Sequence, residues 1–289
     1  MSVHQTPPKY RTLLILGRTS NLPTVWSNCV TGWFLGGGGN AARLFWLFLG
    51  ATLLYTGGMF LNDAFDADFD RQHRRQRPIP SSAISEHDVW LYGFLQLGVG
   101  LLLLVQLGII TAILSILLVG CILLYDAIHK LVAISPLLMA ACRLFLYLVA
   151  ASVADDGVQG LVVWSGLALA MYIVGLSYLA RKESSRGPLN NWPCYLLAGP
   201  LLLGATVNYG DGKILPVVIL FLLAAWILWC LRHIFWRPQR NIGFTVSLLL
   251  AGIPLVDWLA LGGGTPLVSA IFLLLFFAAL LFQRFIPAT

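Results

Sequence analysis

The stretch LNDAFDADFDRQHRRQRPIPSS, residues 61–82, gathers an unusual share of the chain's charge directly behind a long apolar run. Four of the 12 carboxylates lie between Asp63 and Asp70, and four arginines follow between Arg71 and Arg77. Charged groups are costly inside a membrane, so they tend to mark function where they occur at the edge of a spanning helix. We therefore predict that a membrane-spanning helix ends here and that its end carries the chemistry.

The rest of the chain is too apolar for a water-soluble fold. Hydrophobic residues make up 58% of the sequence, charged residues only 10%, and the mean hydropathy is +0.83, whereas soluble domains contain about 25% charged residues. We predict an all-α, polytopic transmembrane bundle that forms a single domain over residues 1–289. Runs long enough to cross a hydrocarbon layer of about 30 Å are residues 12–35, 43–64, 88–107, 109–126, 134–153, 160–180, 191–208, 213–233, 242–261 and 266–285.

The basic residues are unevenly distributed among the predicted loops. With the N-terminus inside the cell, only Arg43 and Lys213 fall on the outer side and Arg143 within a span, while the rest of the 18 lysines and arginines face the cytoplasm. Because basic residues collect on cytoplasmic loops, we predict a multi-pass integral membrane protein, in the inner membrane if the source is bacterial, with a cytoplasmic active face. This bias accounts for the net charge of +6 without a nucleic-acid partner.

The spacing of the acidic residues predicts one polar face at the end of the second run. At about 100° per residue, Asn62, Asp63, Asp66 and Asp70 share one side of a helix, and Asp68 lies opposite. Hard oxygen ligands on one face suit Mg²⁺, which takes one or two carboxylates and completes its octahedron with waters and substrate phosphates. The alternative is a solvated helix end whose acids pair with the neighbouring arginines.

Three motifs in the first half of the chain carry a resemblance to a known family. NDAFDADFD followed by RPIPSS resembles the N-D-x-x-D-x-x-x-D motif and the R-P-[IL]-P-S segment of the UbiA family of intramembrane prenyltransferases. GRTSN (17–21) is similar to the family's first-helix R-x-x-N, and LYDAIHK (124–130) resembles the loop after its fourth helix. The Y-D-x-x-H-K loop and the segment RKES (181–184) also resemble members found in bacterial Ebo-type clusters.

The resemblance implies a reaction and a set of site residues. A prenyl group would move from a prenyl diphosphate to an aromatic or other small lipid-soluble acceptor, with Mg²⁺ as cofactor and membrane lipids around the bundle. The implied catalytic residues are Asp63, Asp66 and Asp70. The implied metal ligands are Asn62, Asp66, Asp70 and Glu183. The implied diphosphate-binding residues are Arg18, Asn21, Arg77, Lys130, Arg181 and Lys182.

The sequence departs from the family at the end of the sixth run. A second aspartate-rich motif usually stands there, but this chain has YLARKESSRG, with Glu183 as its single carboxylate. Three interpretations remain: Arg181 and Lys182 contact the diphosphate in place of a second metal, Glu183 still supplies a ligand, or diphosphate ionisation has been lost. Ten runs also exceed the family's usual nine, so we predict nine to ten spans.

A rival function is a transporter or lipid-binding membrane protein that uses the basic cytoplasmic face without chemistry. Transporter sites usually lie near the bilayer midplane, whereas these acids lie at a helix end.

The sequence also leads to expectations for three further residues. We expect Arg143 to face a polar cavity or to neutralise a carboxylate such as Asp126, His129 to serve as a proton acceptor or a loop hydrogen-bonder, and Asp257 to lie at a helix-end interface.

Overall fold

A computed structural model describes residues 8–181, 191–208, 214–236 and 240–287. These residues contain α-helices and one short 3₁₀ turn, with no strand among them, which confirms the all-α prediction. The α-helices are α1 (Lys9–Leu16), α2 (Leu22–Leu35), α3 (Ala41–Phe65), α4 (Ala67–His73), α5 (Glu86–Val105), α6 (Ile109–Ile128), α7 (Ser135–Val153), α8 (Gly160–Arg181), α9 (Trp192–Leu196), α10 (Gly199–Val207), α11 (Ile214–Phe235), α12 (Ile242–Ala251), α13 (Ile253–Ala260) and α14 (Pro266–Phe282).

Seven helical segments of the described chain are long and apolar enough to cross a membrane. They are α3, α5, α6, α7, α8, α11 and the segment formed by α12 and α13. The α9–α10 segment and α14 are shorter apolar helices. These findings make the chain a multi-pass integral membrane protein, but they do not confirm the predicted count of nine to ten spans.

Breaks within two of the predicted spans account for part of the difference in the count, and α14 is unbroken but only 17 residues long. The first run is interrupted at Arg18, whose backbone is left-handed, and by the 3₁₀ turn Thr19–Asn21. The run 191–208 divides between α9 and α10, and Pro200 lies in the first turn of the second piece. Proline lacks the backbone N–H that a continuing helix would need. Hydropathy therefore located the apolar segments but not the points where their helices stop.

Close packing of α3 against α5 fixes the helix that carries the acidic face. A Cβ atom on Gly57 would lie 2.9 Å from the carbonyl oxygen of Gly93, and one on Gly100 would lie 3.0 Å from that of Gly50. Small residues allow membrane helices to approach this closely and gain van der Waals contact. These contacts run along much of α3 and therefore hold its C-terminal end in place.

The interior holds a buried polar network that joins α2, α7 and α13. Arg143 donates from Nη1 to Asn28 Oδ1 at 2.7 Å and from Nη2 to Thr24 Oγ1 at 3.0 Å. Asn28 in turn donates to Asp257 Oδ2 at 2.8 Å, and the Tyr147 hydroxyl donates to the other oxygen of the same carboxylate.

This network corrects two expectations from the sequence. Arg143 does not bond Asp126, because its guanidinium reaches across to α2. Asp257 does not lie at an exposed helix-end interface, since it is fully buried within α13. Both residues meet partners from helices distant in sequence, which hydropathy and spacing within one helix do not specify.

Candidate active site

The end of α3 brings four polar residues to one buried side. α3 ends at Phe65 and α4 begins at Ala67, but backbone bonds from Asp66 to Asn62 and from Asp70 to Asp66 carry the helical ladder across the junction. The side chains of Asn62, Asp63, Asp66 and Asp70 are all buried, as the helical spacing predicts. Asp68 has a side chain that is 94% exposed, which matches its predicted place on the opposite face.

Three basic side chains from separate segments meet this face. Arg18 Nη2 lies 3.1 Å from Asn62 Oδ1 and 3.4 Å from Asp63 Oδ1. Arg77 Nη1 lies 2.7 Å from the same oxygen of Asp63, and its Nε lies 3.7 Å from Asp70 Oδ2. The predicted diphosphate-binding residues Arg18 and Arg77 are therefore both brought to the predicted acidic face.

Lys130 completes the basic group from the end of α6. Its Nζ lies 2.6 Å from Asp66 Oδ1 and 3.9 Å from the centre of the Phe69 ring. The structure therefore joins the LYDAIHK segment to the acidic stretch, a contact between residues 64 positions apart in the chain. A lysine that contacts one carboxylate can exchange it for a phosphate oxygen, because its ammonium group acts as a compact point charge.

The backbone of Arg18 is held in an unfavourable conformation. Its φ of 41° and ψ of 48° lie in the left-handed region, which costs a residue with a side chain about 1–2 kcal/mol. The Tyr55 hydroxyl lies 3.5 Å from the Arg18 carbonyl oxygen. Asn21 is buried in the turn that follows, and its side chain contacts the Tyr55 hydroxyl. Strain of this kind tends to persist where it positions a functional group, here a guanidinium aimed at Asn62 and Asp63.

The carboxylates of the site differ in their electrostatic environments. Burial alone would raise the pKa of Asp66, but hydrogen bonds and charge from His129 and Lys130 lower the pKa below its usual value. Burial raises the pKa of Asp70, because Arg77 offsets only part of the lost hydration. Within the described part of the chain, Asp70 Oδ1 and Asp126 Oδ2 are buried without a hydrogen-bond partner. Such atoms are costly unless something else binds them.

Asp126 is a site residue that the sequence reasoning missed. Its Oδ1 accepts a hydrogen bond of 3.0 Å from Asn62 Nδ2, although the sequence suggested Arg143 as its partner. Asp126, His129 and Lys130 follow a spacing of three and four residues, which places them on one face at the end of α6. The spacing alone indicates that these three residues share a face. The packing of α6 beside α3 shows that this face contacts Asn62 and Asp66.

His129 contacts oxygen atoms through both ring nitrogens. Nε2 lies 3.4 Å from Asp66 Oδ1, and Nδ1 lies 3.2 Å from the Asp126 carbonyl oxygen. The ring also stacks on Tyr125. Both ring nitrogens of His129 therefore face oxygens that can accept a hydrogen bond.

The predicted residues at the end of α8 are not brought to the acidic face. Arg181 Nη1 donates to the carbonyl oxygens of Val132 and Ala133 and to Ser135 Oγ at 2.9–3.0 Å. These bonds tie α8 to the loop between α6 and α7. Lys182 and Glu183, predicted to bind diphosphate and metal, lie outside the described residues.

The site offers oxygen ligands but no closed metal cage. Among the described residues, no group of three or more His, Cys, Asp or Glu side chains is arranged to hold a metal ion by itself. Mg²⁺ commonly takes only one or two protein carboxylates and completes its shell with waters and substrate phosphates. The buried oxygens of Asn62, Asp66 and Asp70 fit a magnesium ion that binds together with a phosphate ligand, and Asp70 Oδ1 has no hydrogen-bond partner in the described part of the chain.

Fold and site together define a class: a helical membrane protein with a buried acidic face and a basic rim at one end of the bundle. The sequence model of the UbiA prenyltransferase family matches residues 22–244, most of the chain. The chain therefore belongs to that family, as its motifs indicated.

Individual relatives agree with this assignment over limited regions. The chain is 27% identical over 131 residues to mitochondrial 4-hydroxybenzoate polyprenyltransferase of Aedes aegypti. This matched region covers 45% of this chain and 29% of the relative. It is 36% identical over 66 residues to digeranylgeranylglyceryl phosphate synthase of Pyrococcus horikoshii, 23% of this chain and 24% of the relative. The chain thus spans less than a third of the length of either relative.

A solved structure extends the likeness of fold to almost the whole chain. The UbiA homologue from Archaeoglobus fulgidus, bound to GPP and Mg²⁺, superposes with a TM-score of 0.67 at 17% sequence identity. The superposition covers 93% of this chain and 99% of that chain. At this sequence identity the superposition shows a common fold.

Proposed function

We propose that this protein transfers a prenyl group from a prenyl diphosphate to a small lipid-soluble acceptor, with Mg²⁺ at the end of α3. The observation that carries the proposal is the buried acidic face, rimmed by Arg18, Arg77 and Lys130, on which Asp70 Oδ1 has no hydrogen-bond partner among the described residues. A prenyl diphosphate with its metal supplies both the anion and the cation that this arrangement can receive. The relative bound to GPP and Mg²⁺ supports the same ligand class.

The roles follow from the contacts of each side chain. Asn62, Asp66 and Asp70 would hold the ion, and Asp63 would orient Arg18 and Arg77, both of which it contacts. Bound Mg²⁺ would neutralise charge that develops on the leaving diphosphate. Arg18, Arg77 and Lys130 would exchange carboxylate partners for phosphate oxygens, since charge-assisted bonds to phosphate are strong.

The transfer itself requires little covalent chemistry from the protein. The bond between the first prenyl carbon and the diphosphate oxygen breaks, and the oxygen keeps the electron pair. The acceptor then forms a bond to that carbon and loses a proton. The basic rim would stabilise the departing diphosphate through preorganised donors, which is commonly the largest contribution in reactions of this kind. His129 contacts Asp66 and would help to hold that carboxylate in place.

The distribution of charge also supports an orientation. The end of the bundle with the acidic face carries Arg18, Arg77, Lys130 and Arg181. Arg43 lies at the opposite end of the bundle, near the start of α3, where it donates to the Leu107 carbonyl oxygen. Positive residues are enriched on cytoplasmic loops. We infer that the active face is cytoplasmic and that the whole chain acts as one prenyltransferase domain.

The proposal is tested with the purified full-length protein in lipid nanodiscs. Labelled geranyl diphosphate is supplied with Mg²⁺ and a panel of acceptors, beginning with 4-hydroxybenzoate and a glyceryl phosphate, the compound classes named in the two relatives. We expect a labelled product that requires the metal. Asp66→Ala should reduce turnover at least 100-fold, since removal of a group acting directly at the reacting centre commonly costs about 10²–10³ in rate.

Asp68→Ala provides the matched control, because Asp68 belongs to the same motif but faces outward. It should keep near wild-type turnover. Full turnover by Asp66→Ala would contradict the metal assignment. Binding of prenyl diphosphate without any metal-dependent cleavage, across the acceptor panel, would instead favour a lipid-binding or transport role.

A further inference from the structure

The side-chain amide of Asn62 lies between a cation and an anion. Its Oδ1 accepts a hydrogen bond of 3.1 Å from Arg18 Nη2, and its Nδ2 donates one of 3.0 Å to Asp126 Oδ1. A guanidinium offers only donors and a carboxylate only acceptors. One orientation of the amide satisfies both neighbours, and the flipped orientation satisfies neither.

The three partners come from three separate parts of the fold. Arg18 precedes the turn before α2, Asn62 lies near the end of α3, and Asp126 lies near the end of α6. Asn62 is 5% exposed and Asp126 is 3% exposed, so water competes little for either hydrogen bond. The second oxygen of Asp126, Oδ2, is buried without a hydrogen-bond partner among the described residues. Among the described residues, the carboxylate of Asp126 therefore forms one side-chain hydrogen bond, with Asn62, although burying a carboxylate is costly.

We propose that Asp126 is a positioning residue that fixes the Asn62 amide with its oxygen toward the site of Mg²⁺ and diphosphate. The inference rests on the proposed function, because it gives Asn62 the role of a metal ligand. Without Asp126, the amide can rotate and present its NH₂ group, which repels a cation. Partners that orient a ligand typically contribute about 10–100-fold to metal affinity.

Manganese binding tests this role without any turnover. The purified full-length protein in nanodiscs is titrated with Mn²⁺ in the presence of inorganic diphosphate, and free Mn²⁺ is measured by electron paramagnetic resonance. Asp126→Leu, which keeps the approximate size of the side chain but cannot accept a hydrogen bond, should raise the half-saturating Mn²⁺ concentration about 10–100-fold. The thermal unfolding midpoint of each variant, measured without ligands, provides the check on folding.

A reciprocal exchange supplies the second arm. Asn62→Asp alone places two carboxylates 3.0 Å apart and should weaken Mn²⁺ binding, because their repulsion moves the new carboxylate away from the position of the amide oxygen. Combining Asn62→Asp with Asp126→Asn restores one donor and one acceptor in reversed order, and it leaves a carboxylate oxygen toward the ion. The double variant should therefore bind Mn²⁺ more tightly than Asn62→Asp alone, a recovery that a purely structural role for Asp126 does not predict.

The outcomes separate this inference from the proposed function. A wild-type protein with no diphosphate-dependent Mn²⁺ binding contradicts both. Wild-type binding combined with an unchanged half-saturating Mn²⁺ concentration in Asp126→Leu, or with no recovery in the double variant, contradicts the positioning role and leaves the proposed function standing. If Asp126→Leu alone does not fold, the comparison of Asn62→Asp with the double variant decides.

Discussion

Two buried polar clusters of this protein differ in how completely their groups are paired. In the interior network, Arg143, Asn28, Tyr147 and Asp257 all find partners from α2, α7 and α13. At the end of α3, the acidic face also meets basic side chains, but Asp70 Oδ1 remains unpartnered among the described residues. A closed network stabilises a fold, whereas a cluster with unused acceptors is ready for a ligand. The same residue types therefore serve different purposes.

The interior network should lose the most stability when one member is removed. Asp257→Ala removes the buried carboxylate that accepts hydrogen bonds from Asn28 and Tyr147, and each buried donor left unpaired costs about 1–3 kcal/mol. We expect a strongly lowered midpoint in thermal unfolding of the protein in detergent. Combining Asp257→Leu with Arg143→Met removes both charges and should recover part of the loss. A single variant as stable as the wild type would show that the network does not hold α13.

The acidic face should respond in ligand affinity more than in folding. Arg77→Gln removes the guanidinium that contacts Asp63 and Asp70, and hydrogen bonds to charged groups contribute about 1.5–3 kcal/mol. We expect the affinity for inorganic diphosphate with Mg²⁺, measured by isothermal titration calorimetry, to fall about 10–100-fold. Arg71→Gln is the matched control, because Arg71 pairs with Asp68 and Glu86 at the surface. Equal losses in the two variants would point to overall charge and not to a specific contact.

The contrast between the clusters also explains which features the sequence revealed. Spacing along one helix predicted that Asn62, Asp63, Asp66 and Asp70 share a face and that Asp68 lies opposite, because helical geometry is local. The contacts of Asp126 with Asn62 and of Arg143 with Asn28 depend on how separate helices pack. Apolar periodicity does not specify that register, so the partner proposed for Arg143 was wrong.

The breaks in the helices were missed because hydropathy alone does not distinguish a span from two shorter helices. Pro200 marks the break in the run 191–208, but an apolar average does not register it. Arg18 adopts its left-handed backbone in response to tertiary contacts such as that with Tyr55. Its motif still drew attention to it, because an arginine within an apolar run is expensive without a role.

A smaller effect should follow from changing the helix packing that supports the acidic face. Gly57→Ala introduces a Cβ atom 2.9 Å from the Gly93 carbonyl oxygen, a backbone atom that cannot move aside by itself. Overpacking of this kind costs about 1–3 kcal/mol, measurable as a lowered thermal midpoint. Because α3 would shift away from α5, diphosphate affinity should fall as well.

Gly98→Ala on α5 is the control for that substitution. A Cβ atom at Gly98 meets nothing within 4 Å, and alanine favours a helix over glycine by about 0.5–1 kcal/mol. This variant should be as stable as the wild type or slightly more so. Destabilisation of equal size in both variants would mean that the close contact between α3 and α5 does not matter.

Arg181→Gln should give the smallest effect and decide how the end of α8 contributes. The guanidinium of Arg181 is engaged by Val132, Ala133 and Ser135, so its loss should lower stability by about 1 kcal/mol. Diphosphate affinity should change less than threefold, far less than for Arg77→Gln, because Arg181 makes no contact with the acidic face among the described residues. A loss comparable to that of Arg77→Gln would instead assign Arg181 to the diphosphate, as the sequence first suggested. The basic segment at the end of α8 would then act in place of the aspartate-rich motif that the chain lacks there.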